Sequence, residues 1–345
     1  MRERKRTTQR DVAARAGVST AVVSYVINDG PRPTSPAVRN RVLSAIEELD
    51  YHPNGFARGL RSRRAHTIGF VANDYLALDC FGSHYLSAIL DALTAALKEQ
   101  DNYLLMYPMA IGEDPEPLKR LLRSGRLDGV VVRMVQDPPA TDALVAMIAE
   151  AGLPSVCIER PASPRFGLSS VTYDDAAGAR TATRHLITQG HRRIAHMFGD
   201  ARYATAQARR EGFRQALTEA GIPIDDALIR GATWSMSDAV RETLTLLQLP
   251  DPPTAIFAAS DDLAIGSLEA ARLAGRSVPD DVAIVGFDDI PLAQDMTPPL
   301  TTIRIPLAQI GRRAAKLLLA AGESGEATSA TPVVLPVELI RRGSA

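Results

Sequence analysis

The residues of this chain best suited to chemistry are acids and arginines set just past short apolar runs. They are Asp74, Glu159 and Arg160, Asp200, Ser260 and Asp261, and Asp288 and Asp289. Arg209 adds a forked donor, and Trp234 is the one indole in the chain. Carboxylates and a guanidinium around an indole face suit a polyhydroxylated ligand. Vicinal hydroxyls take paired hydrogen bonds while the C–H faces stack on the ring. Three of these residues have plain alternatives: Asp261 and Asp288 could cap helices at strand-to-helix turns, and Trp234 could be an ordinary packing residue. The groups that catalysis needs do not converge. No Gly-rich phosphate loop of either standard type follows a strand, and no serine sits in a nucleophile elbow. The six histidines are scattered, and His185 and His191 are separated across a helix end in a way that does not suit a metal. Cys80 and Cys157 lack a Cys/His partner set. The reading is binding without catalysis, and without metal or cofactor.

The elements that must position these residues start at His66, where strands and helices begin to alternate. Apolar runs at Ile68 to Ala72, Tyr103 to Tyr107, Gly129 to Val132 and Pro154 to Ile158 are separated by helical patterns over 84–99, 115–124 and 140–151. Short apolar runs of this kind fit parallel strands buried on both faces. A second half repeats the pattern, with helices over 174–189, 205–220, 236–248 and 262–274 and strands at Ile194 to Phe198, Ala255 to Ala259 and Val282 to Phe287. A helix over 307–321, a polar spacer from Gly322 to Ala330 and a strand from Val333 to Ile340 complete the pattern. Two α/β units side by side make a cleft, and ligands sit at the carboxyl ends of such strands.

Residues 8 to 28 are different. Val12, Ala13 and Ala16 make one helical stripe, Gly17 supplies a turn, Ser19 caps the next helix, and Val22, Val23, Val26 and Ile27 make its stripe. Thr20, Ala21, Ser24, Tyr25 and Asn28 lie off that stripe or at its margin. Two helices about a tight turn with a polar outer face form a helix-turn-helix, which presents a reading helix to a major groove. A third helix follows from about Pro36 to Leu49, capped by Ser35, with Val38, Val42, Ile46 and Leu49 packed and Arg39 and Arg41 free to reach phosphates. Residues 1–66 carry 13 Lys/Arg against 6 Asp/Glu, a net of +7; the remainder carries 26 against 34, a net of −8. A basic head on an acidic body fits a polyanion docked at the head alone. The basic stretch 51–66, with Gly55 and Gly59, is a weak helix on its own. Leu60 in it is either a minor-groove wedge or a side chain tucked against the body. Two cysteines make no disulfide framework, MRERKRTTQR has no apolar run behind it, and no stretch approaches a membrane span. A soluble cytoplasmic protein is expected.

Over nearly its whole length the chain resembles the LacI/GalR family of bacterial transcriptional regulators. The head does so through Asp11-Val12-Ala13, Ala16-Gly17-Val18-Ser19, Val22-Val23-Ser24 and Val26-Ile27-Asn28, and the linker through Tyr51, Pro53-Asn54, Ala57-Arg58 and Leu60. The body does so through Gly190-His191-Arg192-Arg193-Ile194, Val285-Gly286-Phe287-Asp288-Asp289 and Pro299-Leu300-Thr301-Thr302-Ile303. The resemblance implies a helix-turn-helix domain over 1–52, a hinge helix and linker over 53–66, and a periplasmic-binding-protein-like body of two Rossmann-like subdomains with parallel sheets. It puts 67–171 with 303–330 in one subdomain and 172–302 with 331–345 in the other. It implies a homodimer on a pseudo-palindromic operator, with DNA contacts from Thr8, Ser19, Thr20, Ala21, Ser24, Tyr25, Asn28, Arg39, Asn54, Ala57, Arg58 and Leu60. Leu60 matches the hinge leucine that wedges into the central step. Tyr25 departs from an arginine that reads a base in many members, and a tyrosine cannot make that bidentate contact to guanine.

In the body the resemblance implies an effector, a sugar or sugar derivative, held by Asp74, Tyr75, Phe81, Glu159, Arg160, Arg209, Trp234, Ser260, Asp261 and Asp288. Ser260 departs from an asparagine common before Asp261, and the run from Asp74 to Gly82 departs from the family's usual form. The expected mechanism is repression relieved by effector. The alternatives are activation, a corepressor, or a cytoplasmic solute-binding protein without DNA binding; the basic head argues against the last.

Overall fold

The computed structural model describes residues 7–27, 34–52, 64–73, 84–110, 112–134, 141–160, 164–324, 330 and 332–345. These divide into two compact units, residues 1–65 and 66–345.

The first unit holds α1 (Gln9–Ala16), α2 (Thr20–Ile27) and α3 (Pro36–Glu48). Thr8 and Asp11 form a capping box: the Thr8 side chain accepts from the Asp11 N–H and the Asp11 carboxylate accepts from the Thr8 N–H at 2.8 Å. Gly17 closes α1 in the left-handed region at φ 63°, which lets the Val18 N–H reach the Ala13 carbonyl at 3.0 Å. Ser19 and Ser35 accept from the Val22 and Val38 N–H groups, as N-caps do. Val12, Ala13, Ala16, Val23, Val26, Val42 and Ala45 form the core, with Ile46, Leu49 and Tyr51 against it. Val38, expected in the packed face of α3, is only half-buried, and Ala45 takes that inner place.

The second unit follows with β1 (Thr67–Asn73), α4 (His84–Lys98), β2 (Tyr103–Met109), α5 (Glu116–Leu122), β3 (Gly129–Met134), α6 (Asp142–Glu150), β4 (Ser155–Glu159) and β5 (Ser169–Tyr173). Next come α7 (Asp175–Thr188), β6 (Ile194–Phe198), α8 (Ala204–Glu219), β7 (Ile229–Gly231), α9 (Met236–Leu247), β8 (Ala255–Ala258), α10 (Asp261–Leu273) and β9 (Ala283–Asp288). The chain ends with α11 (Pro291–Asp295), β10 (Thr301–Arg304), α12 (Leu307–Ser324), β11 (Pro332–Leu335) and β12 (Glu338–Ile340).

Among the described residues the strands make two six-stranded sheets, ordered β11-β5-β4-β3-β1-β2 and β12-β10-β9-β8-β6-β7. The first is parallel throughout; in the second only β12 runs antiparallel, against β10. Strands β4, β5, β8 and β9 are buried at every position, as expected when helices cover both faces. Phe70 under the first sheet and Phe213, Phe257 and Phe287 under the second belong to one continuous apolar cluster.

The chain passes between the sheets after β5, after β10 and after β11. The single strand expected over Val333 to Ile340 is therefore two strands in different sheets, broken at Pro336, which has no N–H to continue a ladder. Residues 331–345 do not join the second sheet whole, because β11 pairs with β5 in the first. Strands β5 and β10 each lie wholly in one sheet and so run across the expected boundaries at 171/172 and 302/303.

Candidate functional site

The carboxyl ends of the two sheets meet through a buried arginine. Arg209 sits on the inner face of α8 and is 3 % exposed. Its Nε donates to Asp175 Oδ1 at 2.7 Å, its Nη1 to Asp288 Oδ1 at 3.3 Å and to the Ala259 carbonyl, and its Nη2 to the Tyr173 hydroxyl at 3.3 Å. Tyr173 ends β5 of the first sheet, whereas Asp288 ends β9 of the second. One guanidinium thus ties together the two sheets and the chain that crosses between them. It also lies 3.8 Å over the Phe287 ring. Burial alone would favour the neutral guanidine, but Asp175 and Asp288 overcome it and hold Arg209 charged. Burial pushes the carboxyls of Asp175 and Asp288 up, and Arg209 opposes that.

A second polar layer stands on the first sheet. The Tyr85 hydroxyl, from the start of α4, lies 2.7 Å from that of Tyr173. Glu159 ends β4 in the left-handed region at φ 70° and accepts from Arg133 Nε at 2.8 Å. Burial, and then the charge of Glu159, raises the Tyr85 hydroxyl, so that pair stays protonated.

Trp234 adds the aromatic face. It also lies in the left-handed region, at φ 61°, with its ring edge-on to Tyr203 at 6.0 Å. Gly199 leaves room for it: a Cβ there would fall 2.3 Å from the indole. The indole N–H is buried and has no hydrogen-bond partner among the described residues. A buried donor left unpaired costs about 1–3 kcal/mol. Asp288 and Asp289 have positive φ as well, at 119° and 60°. Non-glycine residues in such conformations collect at ligand sites, where surrounding structure enforces them. Here Asp289 is clamped by Arg304 and Arg342, each at 2.7 Å.

The structure brings together Glu159, Arg209, Trp234 and Asp288 of the expected effector residues. Arg160 is half-buried beside them, close enough to act on the Asp175 carboxyl. Asp261 has a different role. Its two oxygens are taken by the Thr302 hydroxyl at 2.5 Å and the Ile290 N–H at 2.8 Å, so it braces the turn after β9 instead of facing a ligand. Ser260 is the N-cap of α10, accepting from the Leu263 N–H at 3.2 Å, so the cap falls on Ser260 and not on Asp261, where it was the alternative reading. Asp200 is held by Arg202 within its own turn. The expected residues Asp74, Tyr75 and Phe81 lie outside the described residues, as do Asn28, Asn54, Ala57, Arg58 and Leu60 of the DNA set. Of the rest of that set, Thr8 caps α1, Ser19 caps α2, Thr20, Ala21 and Arg39 are exposed, and Ser24 and Tyr25 are half-buried. Tyr85, Arg133, Tyr173 and Asp175 were not anticipated. A βα junction at Val171-Thr172-Tyr173-Asp174-Asp175 was the available signal for the last two.

The Asp261 carboxyl is pushed up to about 7, chiefly by burial. A carboxyl raised in the fold stabilises it while protonated. That stabilisation is full below the unfolded value of about 4 and is lost as pH rises through the folded one. Asparagine at 261 can serve both hydrogen-bond positions without charge. Asp261→Asn should therefore flatten the fall in stability between about pH 4 and 7 by up to one proton, about 1.4 kcal/mol per pH unit. An unchanged profile in pH-dependent denaturation would refute a protonated Asp261.

Comparison with known proteins matches the head and part of the body to two family models. Residues 8–54 match the family model of bacterial regulatory proteins, lacI family, and residues 183–345 match the periplasmic binding protein-like domain. The transcriptional regulator CelR of Thermobifida fusca is 36% identical over 345 residues, covering 100% of both chains. A solved complex of CelR with cellobiose is 34% identical, with a TM-score of 0.73 over 99% of this chain and 100% of that one. The lac repressor dimer bound to operator and the anti-inducer ONPF is 26% identical, with a TM-score of 0.86 over 99% of each.

Proposed function

The chain belongs to the LacI family of bacterial regulatory proteins and is a DNA-binding transcriptional regulator, and from that premise we propose that it is a repressor relieved by a sugar. Two chains form a homodimer whose heads hold the two halves of a pseudo-palindromic operator. Thr8, Ser19, Thr20, Ala21, Ser24, Tyr25, Asn28 and Arg39 make the head contacts, and Asn54, Ala57, Arg58 and Leu60 those of the hinge. The sugar enters between the carboxyl ends of the two sheets and shifts the dimer away from the operator-holding state, by as much as it prefers the other state. Similarity to an operator-bound lac repressor dimer supports the first half of this reading. The proposed place of action is the bacterial cytoplasm; among the described residues no helix is long and apolar enough to cross a membrane.

The observation that carries the effector half is the unpaired indole N–H of Trp234 beside the Arg209–Asp288 pair. A hydroxyl can accept from that N–H, and a pyranose C–H face can lie on the ring. Neutral polyol chemistry fits because Asp288 and Glu159 each already face an arginine, so no net charge asks for a counter-ion. Arg209, Asp288, Trp234, Glu159 and Arg160 are the proposed contacts, with Asp74, Tyr75 and Phe81 retained on sequence. Cellobiose is the first probe because a similar regulator has been solved with it.

The test is a fluorescence titration of the full chain with cellobiose and a panel of other disaccharides and monosaccharides. Trp234 is the only tryptophan, so its emission reports the site directly. A saturable change, together with release from operator fragments at the same concentration, is expected for at least one sugar. Tightened operator binding would indicate a corepressor, and silence across the panel would refute the sugar class.

A further inference from the structure

A cavity of about 630 Å³ lies on the face of α8 that points away from Arg209. Ala204, Gln207, Ala208, Glu211 and Arg214 line it at helical spacing, with Arg210 at its side and Arg160 from the end of β4 opposite. Three guanidinium groups and one carboxylate therefore share the cavity. Arg210 is half-buried, lies 5.3 Å over the Phe198 ring and has no carboxylate partner among the described residues. Arg214 is held by Asp226 alone at 3.2 Å, and that aspartate is 85% exposed, so the pair is weak and easily given up. Glu211 is turned aside to accept from Gln215 at 2.9 Å.

We propose that this cavity binds the phosphate group of a small phosphorylated molecule, at a site on the outer face of α8 that shares only Arg160 with the proposed sugar contacts. The chemistry is that of a tetrahedral dianion. Forked guanidinium donors from two elements match its oxygens in pairs, which an ammonium or a neutral polar wall does not do. The volume exceeds what a bare ion fills, so it has room for the organic part of a phosphate monoester. The site stands on the opposite face of the helix that carries Arg209, so its occupancy bears on the same rigid element that joins the two sheets. The proposal does not depend on the cleft reading, because phosphate binding and cellobiose binding are measured separately and can fail separately.

The test is calorimetric titration of the full chain with inorganic phosphate and with glucose 6-phosphate, at constant ionic strength in chloride. One saturable site per chain is expected. Arg210→Gln should weaken it about tenfold or more, the loss of one charge-assisted contact. Glucose 6-phosphate binding more tightly than phosphate assigns the site to an ester, and equal affinities assign it to the free ion. Phosphate held only by the basic head would survive Arg210→Gln unchanged, and that result, or no saturable binding at all, overturns the proposal. Arg214→Gln serves as the second variant should Arg210→Gln lower the melting temperature; it removes only an exposed pair and must weaken binding in the same sense.

Discussion

Arg209→Ala is expected to destabilise the body by about 3–5 kcal/mol, the cost of removing one member of a buried ionic group. The truncation leaves Asp175 and Asp288 buried without their counter-charge and the Ala259 carbonyl and Tyr173 hydroxyl without their donor. It also empties the space over Phe287. From sequence alone Arg209 reads as a ligand clamp whose loss would abolish the response to ligand and leave DNA binding intact. The structure makes it first a brace between the sheets, so stability and effector response should fall together. Denaturant unfolding followed by Trp234 fluorescence measures the first, and sugar titration the second. The two roles separate in the triple variant Arg209→Met, Asp175→Asn, Asp288→Asn. Removing all the charges together should restore most of the stability, because the penalty is that of an unpaired buried charge, while sugar binding stays lost. A single Arg209→Ala that unfolds like the unaltered protein would refute the brace.

What was legible in the sequence follows from how each element is buried. Strands such as Ile194–Phe198 and Ala255–Ala258 are apolar because helices cover both faces, and they read as strands at once. Strand Ser169–Tyr173 is equally buried but is built of Ser-Ser-Val-Thr-Tyr, whose Thr172 and Tyr173 hydroxyls find partners far along the chain, at the Val333 carbonyl and the Tyr85 hydroxyl, so its hydropathy hid it. Missing it hid Tyr173 and Asp175, the two residues that carry Arg209 to the first sheet. Asp261 and Ser260 show a different limit. Acid and hydroxyl before a helix announce a cap, but which of them caps depends on whether the loop after β9 offers an N–H to the other. That contact comes from Ile290, 29 positions away, and no local pattern reveals it. The helix-turn-helix was legible because its caps, its turn glycine and its core are all local.

The reading helix carries the other large effect. Tyr25 lies on α2 at the position where the family resemblance implies a base-reading arginine in many members, and it is half-buried. A tyrosine offers one hydroxyl and an apolar ring to a base edge, whereas an arginine offers a fork that matches guanine at two atoms. Tyr25→Arg should therefore create a preference for guanine at one position in each half-site, worth about 1–3 kcal/mol per half-site. Because the operator of a homodimer is read twice, the preference should double in a symmetric site and appear once in a hybrid site. That doubling separates base reading from simple charge. An added cation on the phosphates would tighten binding on every sequence alike and steepen the salt dependence by about one counterion per head, without selecting a base. Binding measured on a panel of symmetric and hybrid operators, at two salt concentrations, distinguishes the two. A uniform gain across the panel would remove Tyr25 from the base-reading surface and leave Thr20 and Ala21, exposed at the start of α2, as the residues that set operator choice.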